Sequence, residues 1–490
     1  MATIFTVVTK YIMLFLMALY AWDSLTVIHL KTQSQLSWKY HKMLALTLMF
    51  HLTAYATIFI NTKNTGVLVF YGLQLLFFVL YHVVYRRLYP RSSRLFLNHT
   101  TMLLAVGFAV LTRLSDADQL LDITTALGNR AVKQFVLVCG AAAVTLFVPK
   151  FIEKLRIKKR TAEILGVGGL LMLVLVALLG KTTYGANLSF DFKVFTLQPS
   201  EFVKLTFVIL TAMLLQVKTD FKRVCFATAV AGSHVIILVV SNDLGSALIY
   251  FLTYLVILYV ATHQPLYLFA GLGCGSAAAV AAYFLFSHVR VRVAAWQDPW
   301  SLIDKDGGYQ ITQGLFAIGS GGWLGSGLYQ GMPTKIPVVS KDYIFAAISE
   351  EFGGLFGVCL ILVCLSLILY IFRMATKVGE SFYKLIAVGF AALYGIQVLL
   401  TVGGVTKWIP LTGVTLPFVS YGGSSILSTF LMIAVLQGIY ILKRNEDEEI
   451  ERKRKERKLR GNRAAAGTAG SGRSRKTGEK AGQKETKQRN

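Results

Sequence analysis

Thirteen long apolar runs constrain this chain more than any other feature of it. They fall at about 4–22, 43–61, 66–85, 95–112, 134–149, 163–180, 201–216, 224–240, 244–262, 265–287, 343–372, 383–402 and 419–442. Each is close to the ~20 residues a helix needs to cross a bilayer. Inside lipid every backbone N–H and C=O must be satisfied within the segment, so the runs predict helices and not an open sheet. The fold class expected is therefore an all-α polytopic membrane protein with about 13 transmembrane helices. Only 15% of residues are charged, against about 25% in soluble domains, which excludes a cytosolic α/β enzyme, a coiled coil and a disulfide-rich secreted domain. The five cysteines, Cys139, Cys225, Cys274, Cys359 and Cys364, all lie in apolar runs without metal-ligand spacing and read as small hydrophobes. The first run is not preceded by a basic segment and contains Lys10, which argues for a span over a signal peptide.

The net charge of +25 would suggest nucleic acid in a soluble chain, but its placement indicates a membrane topology and no nucleic-acid partner. Loops 31–42, 86–94, 150–160, 217–223, 263–264 and 373–384 carry 19 Lys and Arg. The alternate short loops, 62–65, 113–133, 181–200, 241–243 and 403–418, carry 7. The positive-inside rule puts the first set in the cytoplasm, so the long segment 288–342 lies outside and the C-terminus inside. The chain then divides into additional N-terminal helices (1–94), a membrane core (95–442) and a basic tail (443–490). That tail holds 17 Lys and Arg and 8 Asp and Glu with almost no large apolar residues, and is expected to be disordered. It suits anionic headgroups of membrane lipids or a cytoplasmic partner.

Polar residues at span ends and in outer loops carry the functional signal, because ionisable groups at membrane depth are costly. One cluster is Gln198-Pro199-Ser200-Glu201-Phe202-Val203-Lys204, in which Glu201 and Lys204 share a helix face and can pair. A second is Asn242-Asp243-Leu244-Gly245-Ser246, with Asp243 a candidate helix cap. The third is the outer segment, with Arg290, Arg292, Asp298-Pro299-Trp300, Asp304, Asp306, Gly308-Tyr309-Gln310, a run of glycines and Lys341-Asp342-Tyr343. A connector would not need so many glycines, aspartates and tryptophans. The fourth runs from Lys407 through Pro410 and Pro417 to Ser420-Tyr421-Gly422-Gly423-Ser424-Ser425. Its prolines and glycines cannot continue a helix, and irregular backbone at this depth has to line a cavity or be buried in protein. All four clusters fall on the outer side.

Taken in order and spacing, Gln198–Lys204, Asp243–Leu248, Asp298–Gln310, Ala317–Gly331, Asp342–Gly353 and Pro410–Ser425 resemble the FtsW/RodA/SpoVE (SEDS) family over roughly residues 95–442. The resemblance implies a ten-span core preceded here by three further spans. It also implies a peptidoglycan glycosyltransferase of the bacterial cytoplasmic membrane, serving division, elongation or sporulation. Such an enzyme polymerises lipid II on the outer face and works with a class B penicillin-binding protein transpeptidase. The family's essential aspartate lies in the large outer loop. Here Ile303-Asp304-Lys305-Asp306 lacks the family's second Asp-Pro and carries one extra residue, so Asp304 is the expected catalytic position, ahead of Asp306 and Asp298. Glu201, Lys204, Asp243, Arg290, Arg292, Asp342, Ser420, Gly422, Gly423 and Ser424 are the expected substrate-binding residues. The diphosphate leaving group implies Mg2+ or Mn2+ and no organic cofactor. A lipid II flippase and a non-catalytic scaffold for the transpeptidase are the competing readings. A flippase needs polar groups along the whole crossing, and a scaffold would survive loss of the outer aspartates.

Overall fold

The computed structural model of the chain describes residues 2–30, 32–115, 120, 128–154, 159–183, 186–191, 196–217, 220–304 and 308–485. Helices come first: α1 (Ala2–Val27), α2 (Gln33–Thr62), α3 (Thr65–Leu88), α4 (Arg94–Arg113), α5 (Arg130–Thr145), α6 (Val148–Lys154) and α7 (Lys159–Leu179). Three short strands follow, β1 (Lys181–Thr183), β2 (Ala186–Asp191) and β3 (Thr196–Leu197), paired antiparallel in that order. Beyond them lie α8 (Ser200–Leu215), α9 (Phe221–Val240), α10 (Leu244–Thr262), α11 (Pro265–Leu285), α12 (Ser287–Gln297) and α13 (Gly308–Gly321). The chain ends with α14 (Ile344–Phe352), α15 (Gly354–Ala375), α16 (Ser381–Val405) and α17 (Gly423–Glu485).

Among the described residues eleven helices are long and apolar enough to cross a membrane. Two shorter apolar helices, Glu163–Leu179 within α7 and the 16-residue α8, occupy the remaining two expected runs. The chain is a multi-pass membrane protein. Burial separates the helices sharply. The central 18 residues of α4 are entirely buried, whereas α11 buries none of its residues, meeting α10 along one side through Gly271 and Gly275 and turning the rest of its apolar surface outward. Only lipid makes such an exposed helix stable.

One expectation needs correction, and two features lay beyond the sequence reading. The run 343–372 is not one helix, because Gly353, at φ 96°, stops α14 and restarts the chain as α15. Within loop 181–200 the alternating Ala186-Asn187-Leu188-Ser189-Phe190-Asp191 pairs as a strand on both sides. The C-terminal residues continue α17 as helix through Glu485. Lack of apolar residues removes a packing surface but not helix propensity, which Ala, Glu, Lys and Arg supply. Ion pairs one turn apart, Lys453–Glu449 at 2.7 Å and Arg452–Glu456 at 3.7 Å, add to it. Residues 441–490 form a compact unit of their own.

Residues 1–440 form the other unit, in which α1 packs on α15 and α2 on α4. Lipid offers apolar surfaces no gain from meeting each other, so ring packing and interhelical hydrogen bonds hold such contacts. Phe50 of α2 lies 6.3 Å from the ring of Phe352 and stacks at 5.7 Å on Phe356. Tyr55 shares a hydrogen bond of 2.8 Å with Thr112, and Lys10 donates to the Gly325 carbonyl at 2.9 Å. Arg113 donates to Glu351 at 2.9 Å and lies 4.1 Å over the Tyr329 ring, tying α4 to the glycine-rich segment after α13.

Candidate active site

The irregular segment between α16 and α17 is the centre of the site. It crosses from Thr406 to Gly422 without regular helix, and Lys407 (φ 61°) and Phe418 (φ 65°) hold left-handed backbone that side chains disfavour. Such strain persists only where the surroundings over-determine it. Here they do. Ser420 Oγ donates to the Lys341 carbonyl and accepts from Leu416 N at 2.9 Å, and Tyr421 N donates to Ser340 O at 2.8 Å. Gln134 of α5 reads both faces of the turn, donating to Ser420 O at 3.1 Å and accepting from Gly422 N at 3.2 Å.

Onto this segment α8 and α10 bring the first two polar clusters. Pro199 opens α8, so Ser200 and Glu201 stand in its first turn. Ser200 Oγ donates to Asp243 Oδ2 at 3.2 Å, and Asp243 Oδ1 caps α10 by accepting from Ser246 N at 3.1 Å. Gln198 N donates to Ser424 Oγ at 2.9 Å. A side chain on Gly245 would place its Cβ 2.6 Å from the Thr412 carbonyl oxygen, so only glycine lets α10 meet the segment this closely.

Beneath it lies a buried ion pair. Lys204 Nζ donates to Glu201 Oε2 at 2.6 Å and to Gln397 Oε1 at 3.0 Å; Ser428 Oγ donates to the same Glu201 oxygen at 2.9 Å. Gln397 in turn donates to the Thr415 carbonyl at 3.0 Å, and the Thr415 and Ser425 hydroxyls share a bond of 2.8 Å. Helices α8, α16 and α17 are thereby joined to the irregular segment through one charged pair. The sequence reading missed Gln134, Gln397 and Ser428. Gln397 and Ser428 are polar residues inside long apolar runs, which was the available signal.

The outer segment reaches the site at two points. Asp342, half-buried, would lie 3.8 Å from a Cβ on Gly413, and the positive charges of Lys341 and Arg292 act on it. Burial nevertheless holds its carboxyl above the usual carboxylate range, as it does for Asp243. At the other point Trp296 Nε1 donates to Lys407 O at 3.0 Å, and Lys407 Nζ to Gln297 O at 3.3 Å, which staples α12 to the segment.

The expected site residues therefore separate by position. Glu201, Lys204, Asp243 and Asp342 are gathered around the Ser420–Ser424 turn, with the Arg292 charge felt at Asp342. Ser420 is buried with its hydroxyl engaged inside the fold, where it shapes the turn. Lys204 is likewise an internal partner and not an open cation. Asp298 is exposed, and its Oδ1 accepts from the backbone N of Trp300 at 3.2 Å and of Ser301 at 3.3 Å. The Ser301 hydroxyl together with these backbone donors holds its carboxyl below the usual range, and the bonds make it a turn-forming residue. Asp304 is exposed and makes no hydrogen bond or ion pair with another described residue; Arg290 is exposed as well. Asp306 lies outside the described residues. Among the described residues no three His, Cys, Asp or Glu side chains gather as a metal site.

This arrangement of helices around an irregular outer segment has counterparts of known structure. A chain from a study of the structural coordination of polymerization and crosslinking by a peptidoglycan synthase complex matches with a TM-score of 0.59. It is 24% identical, and the match covers 72% of this chain and 98% of that one. The Thermus thermophilus rod shape determining protein RodA matches with a TM-score of 0.50 at 22% identity, over 71% and 96%. These show the fold. The sequence profile described as cell cycle protein, FtsW/RodA/SpoVE, matches residues 93–445.

The chain belongs to the FtsW/RodA/SpoVE family.

Among its relatives, the peptidoglycan glycosyltransferase RodA of Mycobacterium leprae is 34% identical over 393 residues, which are 75% of this chain and 82% of that protein. The stage V sporulation protein E of Bacillus subtilis is 33% identical over 279 residues, covering 55% and 75%. All four polar clusters of this FtsW/RodA/SpoVE protein lie inside the matched region, whereas α1–α3 precede it.

Proposed function

We propose that the chain is a peptidoglycan glycosyltransferase that polymerises lipid II on the outer face of the cytoplasmic membrane. The observation that carries this reading is the convergence of three polar clusters, far apart in sequence, on one irregular segment, in a chain 34% identical to proteins named as peptidoglycan glycosyltransferases. A lipid-anchored donor demands such a place, with its diphosphate at the interface and its sugar in water.

The reaction joins an acceptor sugar hydroxyl to an anomeric carbon. The O–H proton passes to a carboxylate as the new C–O bond forms, and the old C–O bond breaks with its electron pair going to undecaprenyl diphosphate. Asp304 is the base in this scheme, because its carboxylate is exposed and no donor among the described residues competes for it, whereas Asp298 is engaged in its own turn. Arg290 and Arg292 on α12 are the cations for the departing diphosphate, a role in which fixed charge lowers the barrier. Glu201, Lys204, Gln397 and Ser428 act as positioning residues that hold the segment against α8 and α16. Any divalent ion is proposed to arrive with the diphosphate, and no step here depends on it. The partner that would crosslink the product is a class B penicillin-binding protein transpeptidase, and the basic loops and the C-terminus face the cytoplasm.

The test is gel analysis of glycan made from purified lipid II by wild type and Asp304→Asn. A general base contributes about 10²–10⁴-fold, so the variant should make at least about 100-fold less glycan while staying folded. Full activity in folded Asp304→Asn would remove Asp304 from the mechanism, and the same result with Asp342→Asn inactive would move the base there.

A further inference from the structure

The three N-terminal helices lie outside the matched family region and contribute nothing to the site above, yet they build a second feature. A groove of about 490 Å³ opens between α2, α3 and the start of α4. Leu48, Val79 and Val83 line its apolar wall, and Arg86, Arg87 and Arg94 stand along its rim. Val79 and Val83 are exposed, so the wall faces the bilayer instead of a neighbouring helix. The arginines sit where α3 ends and α4 begins, in one of the basic loops.

Charge decides what fits there. No Asp or Glu occurs anywhere between Ser24 and Ser115. On the N-terminal side of that stretch, Asp23 is already held between Lys39 at 3.1 Å and Lys42 at 2.8 Å. Among the described residues neither Arg86 nor Arg87 pairs with a carboxylate, and Arg94 gives Nη1 to Ser37 Oγ at 3.1 Å. Three like charges beside an apolar wall are a repulsive arrangement until an anion joins them. An anion with an apolar body satisfies both surfaces at once.

We propose that this groove is a binding site for an anionic glycerophospholipid of the leaflet beside the basic loops. Its phosphodiester is held by Arg86, Arg87 and Arg94, and an acyl chain lies along Leu48, Val79 and Val83. Guanidinium groups suit phosphate oxygens through paired N–H donors, and basic pockets between transmembrane helices bind anionic headgroups on general electrostatic grounds. The bound lipid would brace α3 against α2 and α4, giving the N-terminal helices a structural task the catalytic core does not need.

The experiment is native mass spectrometry of the full chain in mixed micelles, titrated with phosphatidylglycerol or phosphatidylcholine. Each arginine near an anionic surface contributes about fivefold in affinity. Arg86→Gln/Arg87→Gln should therefore lose phosphatidylglycerol roughly thirtyfold and leave phosphatidylcholine binding unchanged. Lys222→Gln/Arg223→Gln, in another basic loop, should change neither. Val83→Trp, which fills the wall and keeps the arginines, should lower retention of phosphatidylglycerol without altering monodispersity, and it serves if the arginine variant fails to fold. Equal retention of the two lipids by wild type, unchanged retention in both groove variants, or displacement of phosphatidylglycerol by equimolar undecaprenyl diphosphate would each overturn the proposal.

Discussion

Replacing Lys204 by methionine tests how the irregular segment is held. The ammonium is 2.6 Å from Glu201 Oε2, and the two side chains are 5% and 13% exposed. An exposed pair of this spacing would contribute under about 1 kcal/mol. Here removal of the cation leaves a nearly buried carboxylate with Ser428 as its one remaining donor among the described residues, and also frees the Gln397 carbonyl oxygen. Breaking a buried pair in this way costs about 3–5 kcal/mol, which for a unit of this size is a fall in unfolding temperature of roughly 3–6 °C. Glu201→Gln should cost less, about 2 kcal/mol, because the amide oxygen still accepts from Lys204 and Ser428. The double variant should be less destabilised than the sum of the two by about 1–3 kcal/mol. Charge reversal is a poorer test than it looks from the sequence, since Gln397 and Ser428 are arranged for a cation at 204 and an anion at 201. Thermal unfolding of the three variants in detergent, with glycan synthesis measured in parallel, reads the coupling. If the double variant equals the sum to within about 0.5 kcal/mol, no such pair exists. If stability recovers in the double variant while activity does not, Glu201 or Lys204 touches substrate directly.

Further predictions concern single positions. Asp304→Asn should leave the unfolding temperature unchanged, because the carboxylate has no described partner to lose. Gly325→Ala and Gly353→Ala should each prevent a monodisperse product, as the new Cβ would lie 2.5 Å and 2.4 Å from backbone atoms of the facing strand of chain at φ 77° and 96°; size-exclusion profiles like wild type would contradict this. Asp342 gives a pH dependence with a definite sign. Its carboxyl is raised in the folded state, so the native chain holds that proton more tightly than the unfolded one. Its relative contribution is then greatest below the ordinary carboxylate pKa of about 3.9 and is lost as pH rises through the raised value. Asp342→Asn should therefore gain on wild type as pH rises from below the ordinary carboxylate pKa of about 3.9 through the raised value in thermal scans, and a gain that shrinks with rising pH would refute the assignment.

Much of this protein was legible before its structure. Apolar runs long enough to span lipid can satisfy their backbone only as helices, so run length alone predicted where most helices lie. The alternation of basic loops and the order of the polar motifs likewise pointed to one face and one family. Three local features were not legible. Gly353 breaks a run that is apolar throughout, because the break depends on φ and on the backbone of Trp323 and Gly325 packed against it. The 181–197 strands depend on pairing partners, and the C-terminal helix on propensity without a core.

What the sequence determined by itself was composition along one dimension: which segments belong in lipid, which loops are basic, and which polar residues are misplaced. Only the tertiary structure decided what those polar residues do. Lys204 is a buried partner of Glu201 and Gln397, and the Ser420 hydroxyl ties Leu416 to Lys341, contacts that no spacing in the sequence announces. Asp298 and Asp304 are both exposed loop aspartates, and only their neighbours distinguish a turn-former from a carboxylate with no described partner. A charge has a fixed sign in a sequence, but its task depends on which groups the fold brings within about 3 Å of it.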